Sequence, residues 1–516
     1  MLTANGQTIP VTPFSFDQDL RVLQLQGKLP LENSMNVRPI SFSKKFTADS
    51  LYHRIGGGVK NNFKEAKVDF WKGHGKIALL PFTSITKFTS HHPYGWSDGV
   101  LMPVNGLQQI ISTGFYAEIG PLSLQIKPEI LYAQNSIYET TPFYGQVNPN
   151  GKQKKILPGQ SRAALNIGPL SFAASTENIW WGPGQSTGLM MTNNPSGFLH
   201  LSFNTRRPLK TPIGKFEWQV IAGRGRTNDY ITEEVYNLKN FAELTGVQGS
   251  KLNTSKYINS IVISYTPSFL KNVSVGGIRS FISGVGDVQG NIAEKVGIVK
   301  AYLPIFDGLF KEKRFAFEDS LEWNQLISLF VRAKMPKANA EIYLEYGWND
   351  HKFNPRDLLM SPAHSASYVI GVKKIIQLTN ERHLDINAEI NQMAQSADFL
   401  VRDANSWYIH HKKSNFSHMG EVLGSGAGYG TNLLTLSVVL RKGYDQIGFI
   451  TERVERDPTE YIQRWTDLSF GLVGRKKINS FLINTRLSGI YSKNYGWENG
   501  KNRFNFMGMM GISYFF

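Results

Sequence analysis

Several long segments of the chain alternate between apolar and polar residues, which is the pattern of β-strands that have two different faces. The clearest examples are the segments 339–346 and 383–390, in which every second position is polar and is Glu, Asp or Asn except at Tyr343 and His383. A face that carries these side chains must meet water or polar partners, while the opposite face is apolar. The segments reach the roughly nine to eleven residues that a membrane-spanning strand needs. The pattern therefore predicts an all-β protein, a single transmembrane antiparallel β-barrel.

The last segment, 502–516, has the same alternation and ends in aromatic residues. Its even positions are almost wholly apolar, whereas its odd positions mix charged, amide and small residues. A terminal aromatic strand of this kind is typical of bacterial outer-membrane barrels, whose apolar face meets lipid between aromatic girdles. We therefore predict that Tyr514 and Phe516 form the signal for membrane assembly.

The connections between the predicted strands alternate between short and long, as they do in outer-membrane barrels. Short connections are predicted at Gly120-Pro121, Gly168-Pro169, Pro336-Lys337, 441–444 and 474–477. Long connections are predicted near 91–106, 135–159, 178–197, 226–253, 284–321, 350–364 and 397–429. This spacing predicts about 18 strands, an even number that places both termini on the periplasmic side. Sequence patterns define strand ends only to within a few residues, so 16 strands is the alternative.

Residues 1–75 differ from the rest, and we assign them to an N-terminal periplasmic or plug segment that precedes the barrel of residues 76–516. Asp17 is placed to cap a short helix that runs to Leu25 and stops at Gly27. A second short helix is predicted over 61–71. The long loop 284–321 also has apolar residues at helical spacing, which predicts a helical segment packed on the barrel rim.

Composition narrows the class of protein and the kind of partner. Mean hydropathy is -0.25, and the sequence contains no uninterrupted apolar run of about eighteen residues, which excludes a helical membrane span. Cysteine is absent, which excludes a disulfide framework and a thiolate metal site. The net charge of +16 indicates an anionic partner. On the exposed loops of a barrel, acidic sugar or lipid phosphate is favoured over nucleic acid. Because the start lacks an apolar signal region, we expect an export signal to have been removed.

The segment around Trp180 and Trp181 is the strongest candidate for a binding site. The two rings precede the turn Gly182-Pro183-Gly184, which leaves the backbone little freedom. Flat rings suit the faces of sugars; the alternative is that the pair anchors the loop inside the barrel mouth. The other predicted polysaccharide-binding residues are Asn178, Asn193, Asn194, Trp407, Tyr408, Lys412, Lys413 and His418.

The stretch NIWWGPGQSTGLMMTNNPSGF, residues 178–198, resembles the signature of the Wzi family of capsule-assembly outer-membrane proteins. Residues 416–429, with the glycines Gly420 and Gly424, are similar to the family's second signature. Residues 19–40 are similar to the helical segment that precedes the barrel at the N-terminus of the family's proteins. The resemblance implies an 18-stranded barrel with a helical element on the periplasmic side. It also implies lectin-like, non-catalytic attachment of capsular polysaccharide to the cell surface.

Two other functions are compatible with a barrel of this kind. A channel or transporter for small solutes would use the same barrel with an open lumen. An enzyme would need paired carboxylates, and Glu341, Glu345, Asp385 and Glu389 are predicted to share one wall of the lumen. Acidic linings are ordinary in barrels, so we predict no catalysis.

The expected partners follow from this interpretation. They are capsular or other surface polysaccharide, outer-membrane lipid and lipopolysaccharide, the barrel-assembly machinery and other outer-membrane proteins, but not nucleic acid. No cofactor is predicted. The histidine pairs 91–92 and 410–411 lack the spacing of a helical metal site, so no metal is predicted either.

Overall fold

A closed antiparallel β-barrel is the main feature of the computed structural model. The structure describes residues 7–29, 32–43, 46–57, 62–139, 151–226, 255–306, 323–349, 355–394, 407–408, 415–458 and 462–516. The last strand pairs with the first, Met507 opposite Thr89 and Tyr514 opposite Phe82, so the sheet has no free edge. Closure pairs the backbone groups of the first and last strands with each other, as a lipid environment requires. The predicted fold class is confirmed.

The main sheet contains 18 strands, three of which are interrupted, and one short segment, Lys67–Phe70, which lies beside the start of β1. The strands are β1 Gly75–Thr89, β2 Gly106–Ile119, β3 Leu122–Ile126 continued by Glu129–Ala133, β4 Gln153–Leu157 continued by Arg162–Ile167, β5 Leu170–Ser175, β6 His200–Thr205 continued by Leu209–Thr211, β7 Gly214–Arg226, β8 Ser255–Pro267, β9 Val273–Gly284, β10 Asn324–Met335, β11 Ala340–Asn349, β12 Ala366–Gln377, β13 Arg382–Gln392, β14 Asn432–Lys442, β15 Asp445–Arg456, β16 Trp465–Ile478, β17 Phe481–Lys493 and β18 Arg503–Tyr514.

The alternation of β18 separates a lipid face from a lumen face, as predicted. Phe504 is 67% exposed on the outer surface, and Phe506 and Met510 are also exposed there. Asn505 and Met507, between them in sequence, are buried inside the barrel. A period of two along a strand places successive side chains on opposite faces, so the sequence pattern alone separates the lipid and lumen faces.

Aromatic side chains collect at the two ends of the wall. Near the short turns, outward-facing rings pack in pairs; these are Phe203 with Trp218, Phe216 with Tyr265, and Phe481 with Tyr514. Near the long loops, Tyr491 lies opposite Phe504 in the register of β17 and β18, and both are exposed. Such girdles mark the two interfaces of an outer-membrane barrel with its bilayer. The protein is therefore located in the outer membrane.

Short and long connections alternate around the barrel, which confirms the predicted asymmetry. One short turn was misplaced: Gly474 lies within β16, and the chain reverses at Asn479 and Ser480 instead. Glycine suggested a turn there, but the pairing with β15 and β17 continues through Gly474. Asn479 has φ 49°, a left-handed conformation that Asn tolerates and that suits a tight turn.

The N-terminal segment forms two helices inside the short-turn end of the barrel. Helix α1 is Asp17–Leu25, as predicted, although Asp17 is its first helical residue rather than its cap. Helix α2 is Ala48–Gly56. The two helices share a hydrophobic cluster with Tyr444, Leu482 and Phe515 of the barrel.

The prediction of a helix over 61–71 was wrong. Thr47 caps helix α2 by accepting a hydrogen bond from the Ser50 N–H, and the helix ends at Gly56, the first of three consecutive glycines in the sequence. Residues Lys67–Phe70 form a strand, because Val68 and Phe70 alternate with charged residues and pair with β1. None of the helices in the described ranges is long and apolar enough to cross a membrane.

Strands β5 and β6 are unusually short in their paired length. Within the described residues, their pairing with each other ends at Ser175 and His200, while the neighbouring β7 continues to Arg226. The chain between them, residues 176–199, turns into the lumen instead of extending the wall. This segment contains the tryptophan pair.

Replacing Phe516 with Asp should impair assembly far more than replacing Ser513 with Asp. Phe516 lies exposed on the outer surface, where it completes the terminal aromatic pattern, and a charge there opposes insertion into lipid. Ser513 lies on the alternate face, beside Thr83. The measurement is the fraction of protein that shows heat-modifiable migration in the outer-membrane fraction; equal losses would contradict the assembly role.

Candidate functional site: the filled lumen and the outer loops

The tryptophan pair lies inside the barrel, against the N-terminal segment. Trp180 and Trp181 form a short antiparallel pairing with Arg38 and Val37. The Trp181 indole is fully buried and its Nε1–H donates to Gln219 Oε1 at 2.9 Å. The guanidinium of Arg38 lies over the Trp180 ring, 4.9 Å from its centroid. The pair therefore joins the plug segment to the barrel wall.

Two buried arginines of the N-terminal segment bind the turn that follows. Arg38 donates to the carbonyl oxygens of Gly182 and Gly184 at 3.1 and 3.0 Å, and Arg21 donates to that of Pro183 at 2.7 Å. Gly182 has φ 85°, and a Cβ there would lie 2.8 Å from a carboxylate oxygen of Glu345. This position requires glycine both for its backbone conformation and for the close approach of the wall.

The wall carboxylates named in the sequence analysis do line one side of the lumen, where they hold the inserted chain. Glu389 accepts hydrogen bonds from the backbone N–H groups of Gln185, Ser186 and Thr187 at 2.7, 3.1 and 2.8 Å. It also accepts one from the Tyr343 hydroxyl at 2.7 Å. A carboxylate surrounded by this many donors is an anchoring group for the segment after the tryptophan pair.

The remaining three carboxylates are also paired with protein donors. Glu345 accepts from the Ser328 hydroxyl at 2.8 Å and from the Leu189 N–H at 3.3 Å. Glu341 bridges Arg21 of helix α1 and Arg332 of β10, each through an Nε–H at 2.8 Å. Asp385 pairs with Lys373 at 2.7 Å and Arg441 at 2.8 Å. All four lie buried beneath the N-terminal segment and the inserted loop.

Asp19 fastens helix α1 to strands β14 and β16 of the wall. Its carboxylate accepts two hydrogen bonds from Arg475, both 2.7 Å, and one from Arg441 at 3.0 Å. Burial by itself raises the pKa of Asp19, but the guanidinium groups of Arg475 and Arg441 outweigh burial and lower that pKa below its ordinary value of 3.8. The charged form is therefore the one that the folded protein stabilises.

The outer loops interlock above the tryptophan segment. Asn193 donates to the Ser97 carbonyl at 3.0 Å, and Asn194 donates to the Val422 carbonyl at 3.0 Å. The Tyr408 hydroxyl donates to the Leu189 carbonyl and accepts from the Ser425 N–H, both at 2.8 Å. Loops from three separate connections are thus bound into one unit over the lumen.

Small residues allow these loops to meet. A Cβ at Gly424 would lie 2.2 Å from the Leu189 carbonyl oxygen, and one at Gly426 would lie 2.0 Å from Asn194 Oδ1. Gly420 has φ 83° and follows His418, whose Nδ1 accepts a hydrogen bond from the Arg226 N–H at 3.1 Å. The glycines of the second motif are therefore positions of close backbone approach.

Eight of the ten predicted binding residues are described, and none is more than 6% exposed. They are Asn178, Trp180, Trp181, Asn193, Asn194, Trp407, Tyr408 and His418. Asn178 donates to the Pro195 carbonyl, and the Trp407 indole donates to the Ser365 carbonyl. The geometry favours the anchoring alternative for this group. Lys412 and Lys413 lie outside the described residues.

Sequence reasoning missed the two arginines that organise the site. Arg21 and Arg38 are fully buried or nearly so, in a segment that showed no binding motif. A usable signal was present for Arg21: the carboxylates on the polar faces of strands β11 and β13 needed cationic partners, and Glu341 pairs with Arg21. Arg38 pairs instead with Asp17 of helix α1. Their pairing could not be assigned without the closed barrel.

The protein is thus an outer-membrane β-barrel whose lumen is filled by its own N-terminal segment and one inserted loop. The model of the family described as capsule assembly protein Wzi matches residues 104–244, which include the tryptophan motif. This match confirms the resemblance found in the sequence.

Among similar solved structures, one supports the same fold. Wzi of Escherichia coli, described as an outer-membrane protein involved in group 1 capsule assembly and as a carbohydrate-binding β-barrel, is similar over 99% of both chains, with a TM-score of 0.63 and 12% identity. OprD of Pseudomonas aeruginosa matches over 88% of this chain and 98% of its own, with a TM-score of 0.43 and 7% identity. A BenF-like porin from Pseudomonas fluorescens Pf-5 matches over 84% and 98%, with a TM-score of 0.41 and 8% identity. No curated protein matches the chain.

Replacing Trp181 with Ala should lower the free energy of unfolding by about 3–5 kcal/mol, the usual cost of truncating a buried aromatic residue. The change would also leave Gln219 without its indole donor. The control is Trp71→Ala, because Trp71 is 65% exposed at the short-turn rim and should change stability by about 0.5 kcal/mol or less. Urea unfolding in lipid vesicles measures both; similar losses would contradict the anchoring role.

Stability should fall when Asp19 becomes protonated. Since its folded pKa is below 3.8, its contribution is complete above that pH and is lost as the pH falls through the folded pKa. Asp19→Asn should destabilise the protein at pH 7 by about 3–5 kcal/mol, because it leaves the buried guanidinium of Arg475 without its carboxylate, and the variant should lose less on acidification than the parent. Urea titrations from pH 7 to pH 3 provide the test.

The matched control for Asp19 is Glu381→Gln, which removes an exposed ion pair with Lys442. Such pairs contribute about 0–1 kcal/mol. An Asp19→Asn variant with the stability and acid sensitivity of the parent would show that the pairing does not hold the helix.

Proposed function

We propose that this protein binds surface polysaccharide and anchors it on the outer loops without catalysing a reaction. The resemblance of the chain to the capsule-assembly family indicates that the polysaccharide is capsular. The observation that carries the proposal is the interlocking of the outer loops over a filled lumen. A rigid loop surface binds a flexible polymer at a lower entropic cost than mobile loops would. A filled lumen favours attachment at the surface over passage through the barrel.

The comparison supports the same function. The Escherichia coli protein with this fold is described as a carbohydrate-binding β-barrel, and the capsule-assembly family model covers the inserted tryptophan loop of this chain. In our proposal the loop acts indirectly. Trp180 and Trp181 hold the outer loops in place, and the glycan contacts residues at the surface of those loops.

The absence of catalysis is supported by the state of the four wall carboxylates. Glycosidases need a carboxylic acid and a carboxylate that flank the scissile bond. Here Glu341 lies between two arginines, and Glu389 accepts several backbone hydrogen bonds. A sugar would have to displace the plug to reach either group.

Charge indicates the type of glycan. The chain carries +16, and Lys412 and Lys413 lie in one of the long outer connections, so we propose that they contact acidic sugars. Delivery of the protein to this position would depend on the barrel-assembly machinery, with Tyr514 and Phe516 as the proposed signal. Lipopolysaccharide and other outer-membrane proteins are proposed neighbours.

Binding of an acidic capsular glycan to the purified protein should weaken as salt rises, because exposed charges are screened over about 8 Å at physiological ionic strength. The double variant Lys412→Ala, Lys413→Ala should bind more weakly and with a shallower salt dependence. The control is Lys442→Ala, Lys476→Ala, which removes the same charge from exposed lysines at the short-turn end. Glycan arrays at several salt concentrations measure all three proteins.

Capsule retention by a deletion strain tests the function in the cell. We expect loss of cell-attached polysaccharide, restored by the parent gene and only partly by the lysine variant. Full retention without the protein would reject the proposal. Stepwise conductance of the size of a porin in planar bilayers would favour the channel alternative instead.

A further inference from the structure

The lipid-facing surface of the barrel carries an open groove of about 770 Å³ across strands β2 to β6. Its floor is a row of outward side chains paired from strand to strand, and three of its five members are alanine. The row is Ala117, Leu124, Ala163, Ala174 and Leu201. The adjacent row toward the short turns contains the larger side chains Ile119, Leu122, Leu165 and Phe172. Small residues beside large ones produce the depression.

The groove opens toward the outer leaflet where the wall is low. Within the described residues, the paired rows of β5 and β6 end at Ser175 and His200, just beyond the groove floor. Strands β4 and β7 flank this gap. Neighbouring strands lie about 4.8 Å apart, so two shortened strands leave an opening of roughly 14 Å between their neighbours.

Exposed cations stand at both sides of the gap. Arg224 on β7 follows, by two residues, Ala222, which pairs with the groove residue Leu201. Its guanidinium donates to the hydroxyl of Ser255 at 2.9 and 2.6 Å, a neutral partner. Lys154 is exposed at the outer end of β4, the strand that also supplies Ala163.

The residues opposite these cations in the strand register indicate how high the cations lie relative to the bilayer. Arg224 lies opposite Tyr257, and Lys154 lies opposite Tyr132, in the strand register. Tyrosine rings on the outward face concentrate at the membrane–water interface. Lys154 therefore lies at the height of lipid headgroups on the side of the long loops. Arg224 lies two residues beyond the groove floor at the outer end of β7, beside Tyr257, whose ring packs against Tyr302.

We propose that this groove binds one molecule of lipopolysaccharide through its phosphorylated, acylated sugar anchor. The acyl chains occupy the alanine-floored groove, and the two phosphates contact Arg224 and Lys154. Arginine binds phosphate through two parallel hydrogen bonds, and lysine through a point charge. Two separated cations match a bisphosphorylated sugar better than the single phosphate of a phospholipid. The site does not depend on the proposed glycan binding, but it would place lipopolysaccharide beside the outer loops.

Native mass spectrometry of the full-length protein in detergent tests the site with three probes: bisphosphorylated lipid A, monophosphorylated lipid A and phosphatidylglycerol. We expect one bound lipid A per protein, at least tenfold tighter than phosphatidylglycerol. The double variant Ala163→Phe, Ala174→Phe fills the groove and should weaken lipid A binding at least tenfold. Ala388→Phe is the matched control, because Ala388 faces lipid on β13, outside the groove.

The charge variants separate the phosphates from the acyl chains. Arg224→Gln with Lys154→Gln should abolish the preference for bisphosphorylated over monophosphorylated lipid A. Lys374→Gln, an exposed lysine near a short turn, should leave the preference unchanged. Ala163→Leu fills less of the groove and should show a smaller loss, which covers failure of the phenylalanine variant to fold. Equal affinity for phosphatidylglycerol, or groove variants that match Ala388→Phe, would overturn the proposal.

Discussion

The buried contacts between arginines and carboxylates hold the interior of this barrel together. Helix α1 supplies Asp19 to Arg441 and Arg475 of the wall and Arg21 to Glu341. Removing charges from water is expensive, so each of these groups must keep its partner, and loss of one partner leaves an isolated charge behind. The N-terminal segment is therefore confined to one position in the lumen. The contacts of the Gly182-Pro183-Gly184 turn with Arg21 and Arg38 depend on that position.

These contacts form a continuous series through the lumen, from the periplasmic end of the barrel to the cell surface. Once helix α1 is placed, Arg38 and Arg21 meet the carbonyl groups of the Gly182-Pro183-Gly184 turn. The turn positions Trp181 against Gln219, and the following residues bring Asn193 and Asn194 to the outer loops. The hydrogen bonds among the described outer-loop residues are thus connected, through the inserted loop, to charges buried near the opposite end of the protein.

The tryptophan pair shows that one sequence motif is compatible with two different roles. Aromatic rings beside a Gly-Pro-Gly turn have the chemistry of a sugar platform, and the same chemistry suits an anchor that packs and donates one hydrogen bond. Composition cannot distinguish the two, because the difference is whether protein or solvent covers the rings. Here the N-terminal segment covers them, at Val37 and Arg38. The misplaced helix over 61–71 has a similar origin, since pairing with β1 decided the conformation of Lys67–Phe70.

The sequence by itself determined the barrel, the faces that meet lipid and lumen, and the end at which the long loops lie, and it narrowed the number of strands to 18 or sixteen. These features follow from a period of two and from turn residues, which are properties of neighbouring positions. Only the tertiary structure decided the partners inside the lumen and the shape of the outer surface. Arg21 and Glu341 are separated by 320 residues, and the early end of strands β5 and β6 depends on a loop that folds inward. Such contacts exist only after the barrel closes, because closure brings distant strands around the same enclosed space.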